Sequence, residues 1–284
     1  MTALTRRDWY TRAVSCLADS GCEDAAFDAK CLLEDFGGLA RGHAPDTALL
    51  TDEQTAALAR ALEERAAGRP LQYILGEWEF LTLTLKVGEG ALIPRADTEV
   101  LCEEAARLLA GAQSPRVLDL CAGSGCVGLG LASLCPSAQV TAVELSDDAL
   151  PYLRENVARY PQYAVKVKQA DVLQDARAFD DVFDAILSNP PYIPSADIAG
   201  LMREVQHEPS MALDGDADGL KFYRAIAEQW IPKLTDGGVC AVEVGIGQAA
   251  DVAALFAAAG LADVRVVRDF GGVERVVSGV KNKK

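Results

Sequence analysis

Val117-Leu-Asp-Leu-Cys-Ala-Gly-Ser-Gly-Cys-Val-Gly128 is the stretch whose reading decides the fold class. A short run with buried-strand character passes into a glycine turn and then into a helix. Gly123-x-Gly125-x-x-Gly128 is the spacing of a βα unit whose glycines let the backbone approach a ligand. Taken alone, the pattern fits any adenosine-containing cofactor. Glu144, at the end of the next apolar run, is placed to accept hydrogen bonds from both hydroxyls of a ribose. Asp119 narrows the choice. A carboxylate beside the loop repels a pyrophosphate and suits the cationic amino-acid end of S-adenosylmethionine, so a methyl donor is favoured over a nicotinamide. The same carboxylate can instead cap loop amides. Asp171, with Val172 after the third strand, stands where an adenine amino group would be read, or is simply a helix N-cap.

Outward from this turn, apolar runs and helical patterns alternate. The pattern predicts strands at Arg116–Cys121, Gln139–Leu145, Val165–Gln169, Phe183–Ser188, Gly238–Val244, Val264–Asp269 and Val273–Gly279. Strand–helix alternation of this kind predicts a doubly wound α/β sheet of seven strands, parallel over much of its width. The last two strands are joined across Gly271-Gly272, too tightly for a helical crossover, so the final strand is expected to be antiparallel.

Upstream the character differs. Arg6–Ala18, Asp24–Phe36 and Asp52–Ala67 carry apolar residues at helical spacing, which predicts a small three-helix bundle. Thr51 is set as the N-cap of the third helix, and Gly68 with Pro70 ends it. Trp9 and Tyr10 read as core residues of the first helix. Trp78–Val87 alternates apolar and polar as a hairpin would, and a further helix is expected from Asp97 to Ala110.

Composition excludes several classes. No segment approaches the roughly 20 apolar residues of a membrane span, and the N-terminus has no secretory signal pattern, so a cytoplasmic protein is expected. The net charge of −15 argues against stable binding to nucleic-acid phosphates. Eight cysteines occur with only two histidines and no C-x-x-C, so no metal site is expected. Cys16, Cys31, Cys102, Cys126 and Cys240 read as buried reduced thiols. Asp214-x-Asp216-x-Asp218-Gly219 imitates a calcium loop, but its twelfth position would be Ala225, where a bidentate acid is required. His207 reads as structural or substrate-facing, on a surface-like stretch with Glu208 and Pro209.

Ser188-Asn-Pro-Pro-Tyr-Ile-Pro194 follows the fourth strand, at the same carboxyl edge as the glycine turn. Two prolines leave Asn189-Pro190-Pro191 little freedom. The Asn189 side-chain oxygen and the Pro190 carbonyl can then form a rigid pair of acceptors. Such a pair would take both N–H bonds of a planar NH₂ group, favour its pyramidalisation and expose its lone pair to a methyl group. Tyr192 offers an aromatic face to a flat substrate. Positioning and electrostatics then suffice without a strong base. Asn-Pro alone can also be only a turn.

Together these blocks resemble the release factor glutamine methyltransferases, the PrmC/HemK family, over nearly the whole chain. The resemblance is carried by Arg69-Pro-Leu-Gln-Tyr-Ile-Leu-Gly76, Leu92-Ile-Pro-Arg-Ala-Asp-Thr-Glu99, Asp119–Gly125 and Ser188–Pro194. His207-Glu-Pro209, Ala212–Leu220 and Phe222-Tyr-Arg224 extend it. It implies a Rossmann-like class I methyltransferase domain at 93–284, a hairpin linker at 77–92 and a helical substrate-recognition domain at 1–76. It also implies methylation, from S-adenosylmethionine, of the glutamine side-chain amide (N5) in the Gly-Gly-Gln loop of class 1 release factors, by a monomer. On the family pattern Asn189, Pro190 and Tyr192 act on the amide, with Pro191 beside them. Asp119, Gly123, Gly125 and Glu144, joined by Asp171, Val172 and Asn189, hold the cofactor, while Arg95 and Thr98 line the pocket. Two positions depart from that pattern: Ala96 replaces a usual proline, and Asp216 a usual glycine. Adenine-N6 methylation of DNA or RNA is the alternative within the same chemistry. A non-catalytic S-adenosylmethionine-binding interaction protein is the alternative outside it.

Overall fold

The structure, a computed structural model, describes residues 4–282. Its Cα positions group into two compact units. One comprises the chain up to Gly76 together with Met202–His207; the other comprises Glu77–Leu201 and the chain from Glu208 onward.

The helical unit contains α1 (Arg6–Asp19), α2 (Ala25–Phe36), α3 (Asp52–Ala66) and the short α4 (Leu71–Leu75). Trp9, Ala13 and Leu17, four apart, are the buried stripe of α1. Cys16 falls off that stripe and is exposed, contrary to the burial expected for it. Tyr10 is half-buried rather than core. The α3 N-terminus is a capping box, in which the Thr51 hydroxyl accepts from the Gln54 amide and Gln54 returns the bond to the Thr51 N–H. Arg65 is buried and pairs with buried Asp28; its second partner is Glu204, from the far-downstream segment that completes this unit.

The larger unit opens with a hairpin, β1 (Glu77–Phe80) and β2 (Leu83–Lys86), and then α5 (Ala96–Leu108). The chain continues through β3 (Arg116–Leu120), α6 (Cys126–Leu134), β4 (Gln139–Glu144), α7 (Leu150–Arg159), β5 (Ala164–Gln169) and β6 (Phe183–Ser188). Short helices α8 (Ser210–Leu213) and α9 (Lys221–Ala225) precede β7 (Leu234–Glu243), α10 (Ala249–Ala258), β8 (Leu261–Arg268) and β9 (Glu274–Lys281). The seven-stranded sheet has the order β5-β4-β3-β6-β7-β9-β8, parallel from β5 to β7. The final strand is antiparallel to both of its neighbours, as the tight glycine connection implied. The spacing left open that β9 inserts between β7 and β8, which puts β8 at the edge.

Both faces of the sheet are covered. Leu118, Leu120 and Ile186 pack with Tyr223, Trp230 and Phe256 on one side; Val117, Ala185 and Leu187 pack with the hairpin, α5 and α6 on the other. Burial on both faces explains why these strands read as continuous apolar runs. The chain enters at β3, moves outward to β5, and returns to β6 on the opposite flank. That reversal opens a crevice at the carboxyl edge between β3 and β6, where ligands bind in open sheets.

Candidate active site

Strand register assembles the site. Leu120 pairs with Ser188, and Ser188 in turn pairs with Val242, so the loops after β3, β6 and β7 emerge side by side. A cavity of about 430 Å³ lies there, within the range of small-molecule sites. Its wall includes Gly123, Glu144, Asp171, Val172, Asn189 and Pro191. A smaller recess bounded by Arg95, Thr98, Gly123 and Asn189 adjoins it. Of the residues expected at the site, Asp119, Gly125, Pro190 and Tyr192 are not on these walls.

Glu144 takes the Gly123 N–H on one carboxylate oxygen at 2.7 Å, and those of Leu145 and Ser146 on the other at 2.8 and 2.7 Å. It therefore shapes the turn as well as facing the cavity. Asp119 is fully buried beneath the turn. Of the two readings open for it, the amide cap is seen at Oδ2, which accepts the Gly128 N–H at 2.8 Å, while Oδ1 has no partner. A side chain at Gly128 would collide with Asp119 Oδ2, so this glycine permits the close helix–strand approach. Burial pushes the Asp119 carboxyl up to about 7, with Glu144 adding to the rise. Gly125, with φ 87°, turns the chain into α6. Asp171 faces the cavity, and its oxygens accept from the Leu173 N–H and the Gln174 side-chain amide within the local turn; it is not a helix N-cap, because the following short helix begins at Asp175 with Gln174 as its cap. The Val172 carbonyl is fixed by the indole N–H of buried Trp230 at 2.8 Å.

Around Asn189 the structure adds what spacing did not show. Asn189 Nδ2 donates to Thr98 Oγ1 at 3.2 Å, whereas its Oδ1 is buried without a hydrogen-bond partner. Thr98 donates onward to Glu243 Oε2 at 2.6 Å, and Tyr192 donates to Glu243 Oε1 at 3.2 Å. Burial lifts the Glu243 carboxyl to about 7 and the Tyr192 phenol above its ordinary value. Among the described residues no hydrogen bond to the Pro190 carbonyl is made. Asn189 thus carries one free acceptor backed by Thr98, next to a Pro190 carbonyl that is unpaired but belongs to a buried residue off the cavity walls.

Three contributors escaped the sequence reading. Glu243 is a lone acid in the apolar run Cys240-Ala-Val-Glu-Val244, a mismatch that marks a buried polar network. Glu208, expected on a surface stretch, is buried; it accepts the Ile93 N–H at 2.9 Å and pairs with Arg95. Asn156 on α7 exchanges hydrogen bonds with the Lys86 backbone and donates to the Ser124 carbonyl at 2.9 Å, tying the hairpin to the glycine turn.

The two departures from the family pattern acquire reasons. Ala96 is the first residue of α5, where proline is favoured but alanine is also a good helix former; Glu208 anchors Arg95 instead. Position 216 has φ 73°, the left-handed region natural to glycine and tolerated by aspartate. The triad that imitates a calcium loop is committed to internal contacts: Asp214 to Ser195, Asp216 to Lys221 and Asp218 to Arg224. His207 is exposed.

Residues 97–208 match the family model described as Methyltransferase small domain, and residues 8–76 match that described as PrmC N-terminal domain. The chain is 41% identical over 275 residues to the release factor glutamine methyltransferase of Geobacter sulfurreducens, covering 96% of this chain and 94% of that protein. It is 37% identical over 292 residues to the release factor glutamine methyltransferase of Caulobacter vibrioides, covering 99% and 98%. A solved methyltransferase from Pyrococcus furiosus, 17% identical, aligns over 80% of this chain and 99% of its own with a TM-score of 0.51, a likeness of fold alone.

Proposed function

The chain belongs to the release factor glutamine methyltransferase family, whose methyl donor is S-adenosylmethionine, and we propose that Asn189 Oδ1 and the Pro190 carbonyl hold the substrate amide. The observation that carries this reading is the unpartnered buried oxygen of Asn189 at the cavity wall, backed by Thr98. A buried acceptor left without a donor is costly, and a substrate NH₂ would satisfy it.

The residues suit the cofactor: an acid at the ribose position, an apolar wall from Val143, Leu145 and Val172, and a glycine turn. When bound, S-adenosylmethionine supplies a methyl group on a positively charged sulfur, which departs with its bonding electrons as a neutral thioether. Glu144, Asp171, Val172 and Gly123 would hold it. Asp119 and Gly125 would act through the turn they shape. The two acceptors take both N–H bonds of the glutamine amide, so its nitrogen lone pair points toward the methyl group. After transfer the surplus proton leaves to water, and no strong base is required. Pro191 and Tyr192 would stiffen this acceptor loop, and Arg95 would meet the incoming peptide from the smaller recess.

The glutamine we assign is that of the Gly-Gly-Gln loop of class 1 release factors. The helical unit is assigned to gripping the substrate protein, because such a loop alone offers few contacts. A cytoplasmic monomer completes the reading, and the net charge of −15 supports the further assignment that it does not bind nucleic acid stably. Among the described residues no helix is long and apolar enough to cross a membrane.

Incubation with labelled S-adenosylmethionine, a purified release factor and, separately, adenine-containing DNA tests the proposal. Label is expected on the release factor. Label on the DNA and none on the factor would establish adenine methylation instead.

A further inference from the structure

Glu243 ends β7 in a fully buried position, one residue beyond the Val242–Ser188 pair that sets β7 beside β6. Both of its oxygens are occupied, by the hydroxyls of Thr98 and Tyr192. A hydroxyl owns a single proton, and an ionised carboxylate only accepts. With Glu243 ionised, the Thr98 proton is therefore directed at Glu243, and the Thr98 oxygen remains as an acceptor. That oxygen takes an N–H from Asn189 Nδ2. A carboxamide turned over by 180° has nearly the same shape, so packing alone does not choose its orientation. The hydrogen-bond chain does.

We infer that Glu243, acting through Thr98, is a positioning residue for methyl transfer: it makes Asn189 present Oδ1, and not Nδ2, to the substrate amide. The inference rests on the family reading above. If Glu243 is protonated it can donate to the Thr98 oxygen, which frees the Thr98 hydroxyl to donate toward Asn189. The amide then turns over, and its NH₂ opposes the NH₂ of the substrate, donor against donor.

Charged and titratable groups face Glu243 from each neighbouring element. Asp97 and Cys102 come from α5, Cys126 from α6, Tyr192 from the loop after β6, and Arg275 from β9. Tyr223 of α9 donates to the Glu243 main-chain carbonyl at 2.9 Å. Arg275, itself 3.0 Å from Asp97 and 3.2 Å from Asp269, favours the ionised form, and Asp97 opposes it. Burial outweighs these, so the carboxyl changes charge at about 7. The orientation of Asn189 is thereby coupled to pH near neutrality.

The test measures kcat for methylation of a purified release factor from about pH 5.5 to 9, with S-adenosylmethionine affinity determined separately by calorimetry. The wild type is expected to lose kcat by ~10-fold per pH unit on the acid side of about pH 7, with cofactor affinity level. Thr98→Val cuts the chain and should lower kcat by ~100-fold while abolishing the acidic limb. Thr98→Ser should restore both. Glu243→Gln should lack the acidic limb; if that variant does not fold, the Thr98 pair decides alone. Wild-type kcat in Thr98→Val, or an acidic limb of unchanged midpoint in that variant, overturns the inference. Failure of the wild-type protein to methylate the release factor overturns the family reading instead.

Discussion

A β-carbon on Gly215 would stand 2.8 Å from the Cα of Tyr192. The loop after α8 is laid directly on the acceptor loop, backbone against backbone. Ile193 donates to the Leu213 carbonyl at 2.9 Å, and Gly215 donates back to the Ile193 carbonyl at 2.8 Å. Gly219 has φ 73°, and a β-carbon there would collide with the Tyr192 carbonyl. Gly215→Ala should therefore displace Tyr192 and cost about 1–3 kcal/mol as overpacking. Gly219→Ala adds left-handed strain of about 1–2 kcal/mol. Thermal denaturation with parallel kcat measurements is the check: both variants should lose turnover, Gly219→Ala the more severely.

Replacing Asn189 by Ala removes the free acceptor together with the donor to Thr98. Methyl transfer should fall by at least ~100-fold, the scale at which a single positioned acceptor or donor contributes, while S-adenosylmethionine affinity stays within a few-fold. Calorimetric titration separates the two effects. Equal collapse of cofactor binding would refute the amide-holding role.

Asn156 joins three segments through a side chain with no exposure: α7, which carries it, the Lys86 backbone and the Ser124 carbonyl. Asn156→Ala strands these buried groups, at about 1–3 kcal/mol for each one left unsatisfied. The expected outcome is a lower urea midpoint and a weaker affinity for S-adenosylmethionine, because the glycine turn loses an anchor. Unchanged affinity in a destabilised variant would restrict Asn156 to a packing role.

Glu208→Gln should keep the bond from the Ile93 N–H but lose the ion pair to Arg95, whereas Glu208→Ala loses both. Release-factor KM should rise in both variants, because Arg95 is no longer held. Only the alanine variant should lose about 1–3 kcal/mol of stability from the stranded buried amide. Equilibrium unfolding and steady-state kinetics distinguish the contributions.

The Asp119 and Glu243 carboxyls lie at about 7, against ordinary values of 3.8 and 4.5. The folded chain therefore holds these protons more tightly than the unfolded chain. Below about pH 3 both states are protonated and stability no longer changes with pH through these groups. As pH rises from there to about 7 the unfolded chain releases its protons first, so stability falls, and above about 7 the loss is complete. Thermal midpoints of the ligand-free protein should decline across this window. Asp119→Asn, which keeps an oxygen for the Gly128 amide, should decline less and should exceed the wild type at about pH 8. A steeper decline in Asp119→Asn would mean that the Asp119 charge is stabilised in the fold.

By itself the sequence determined the features that depend on neighbours close along the chain. Helical periodicity, the Thr51 cap, the glycine turn after β3 and the tight connection into the final strand are local, and the structure carries them. The stiffness of Asn189-Pro190-Pro191 is local too. Only the tertiary structure decided which strand lies beside which. The pairing Leu120–Ser188–Val242 brings Glu243 to Asn189, yet no spacing links residues 54 positions apart. The insertion of β9, the burial of Glu208 and the joining of Met202–His207 to the helical unit are likewise long-range. A buried carboxylate in an apolar strand is tolerable only with partners, and those partners come from other elements. The acceptor loop is therefore written in the chain, while the direction in which its amide faces is a property of the fold.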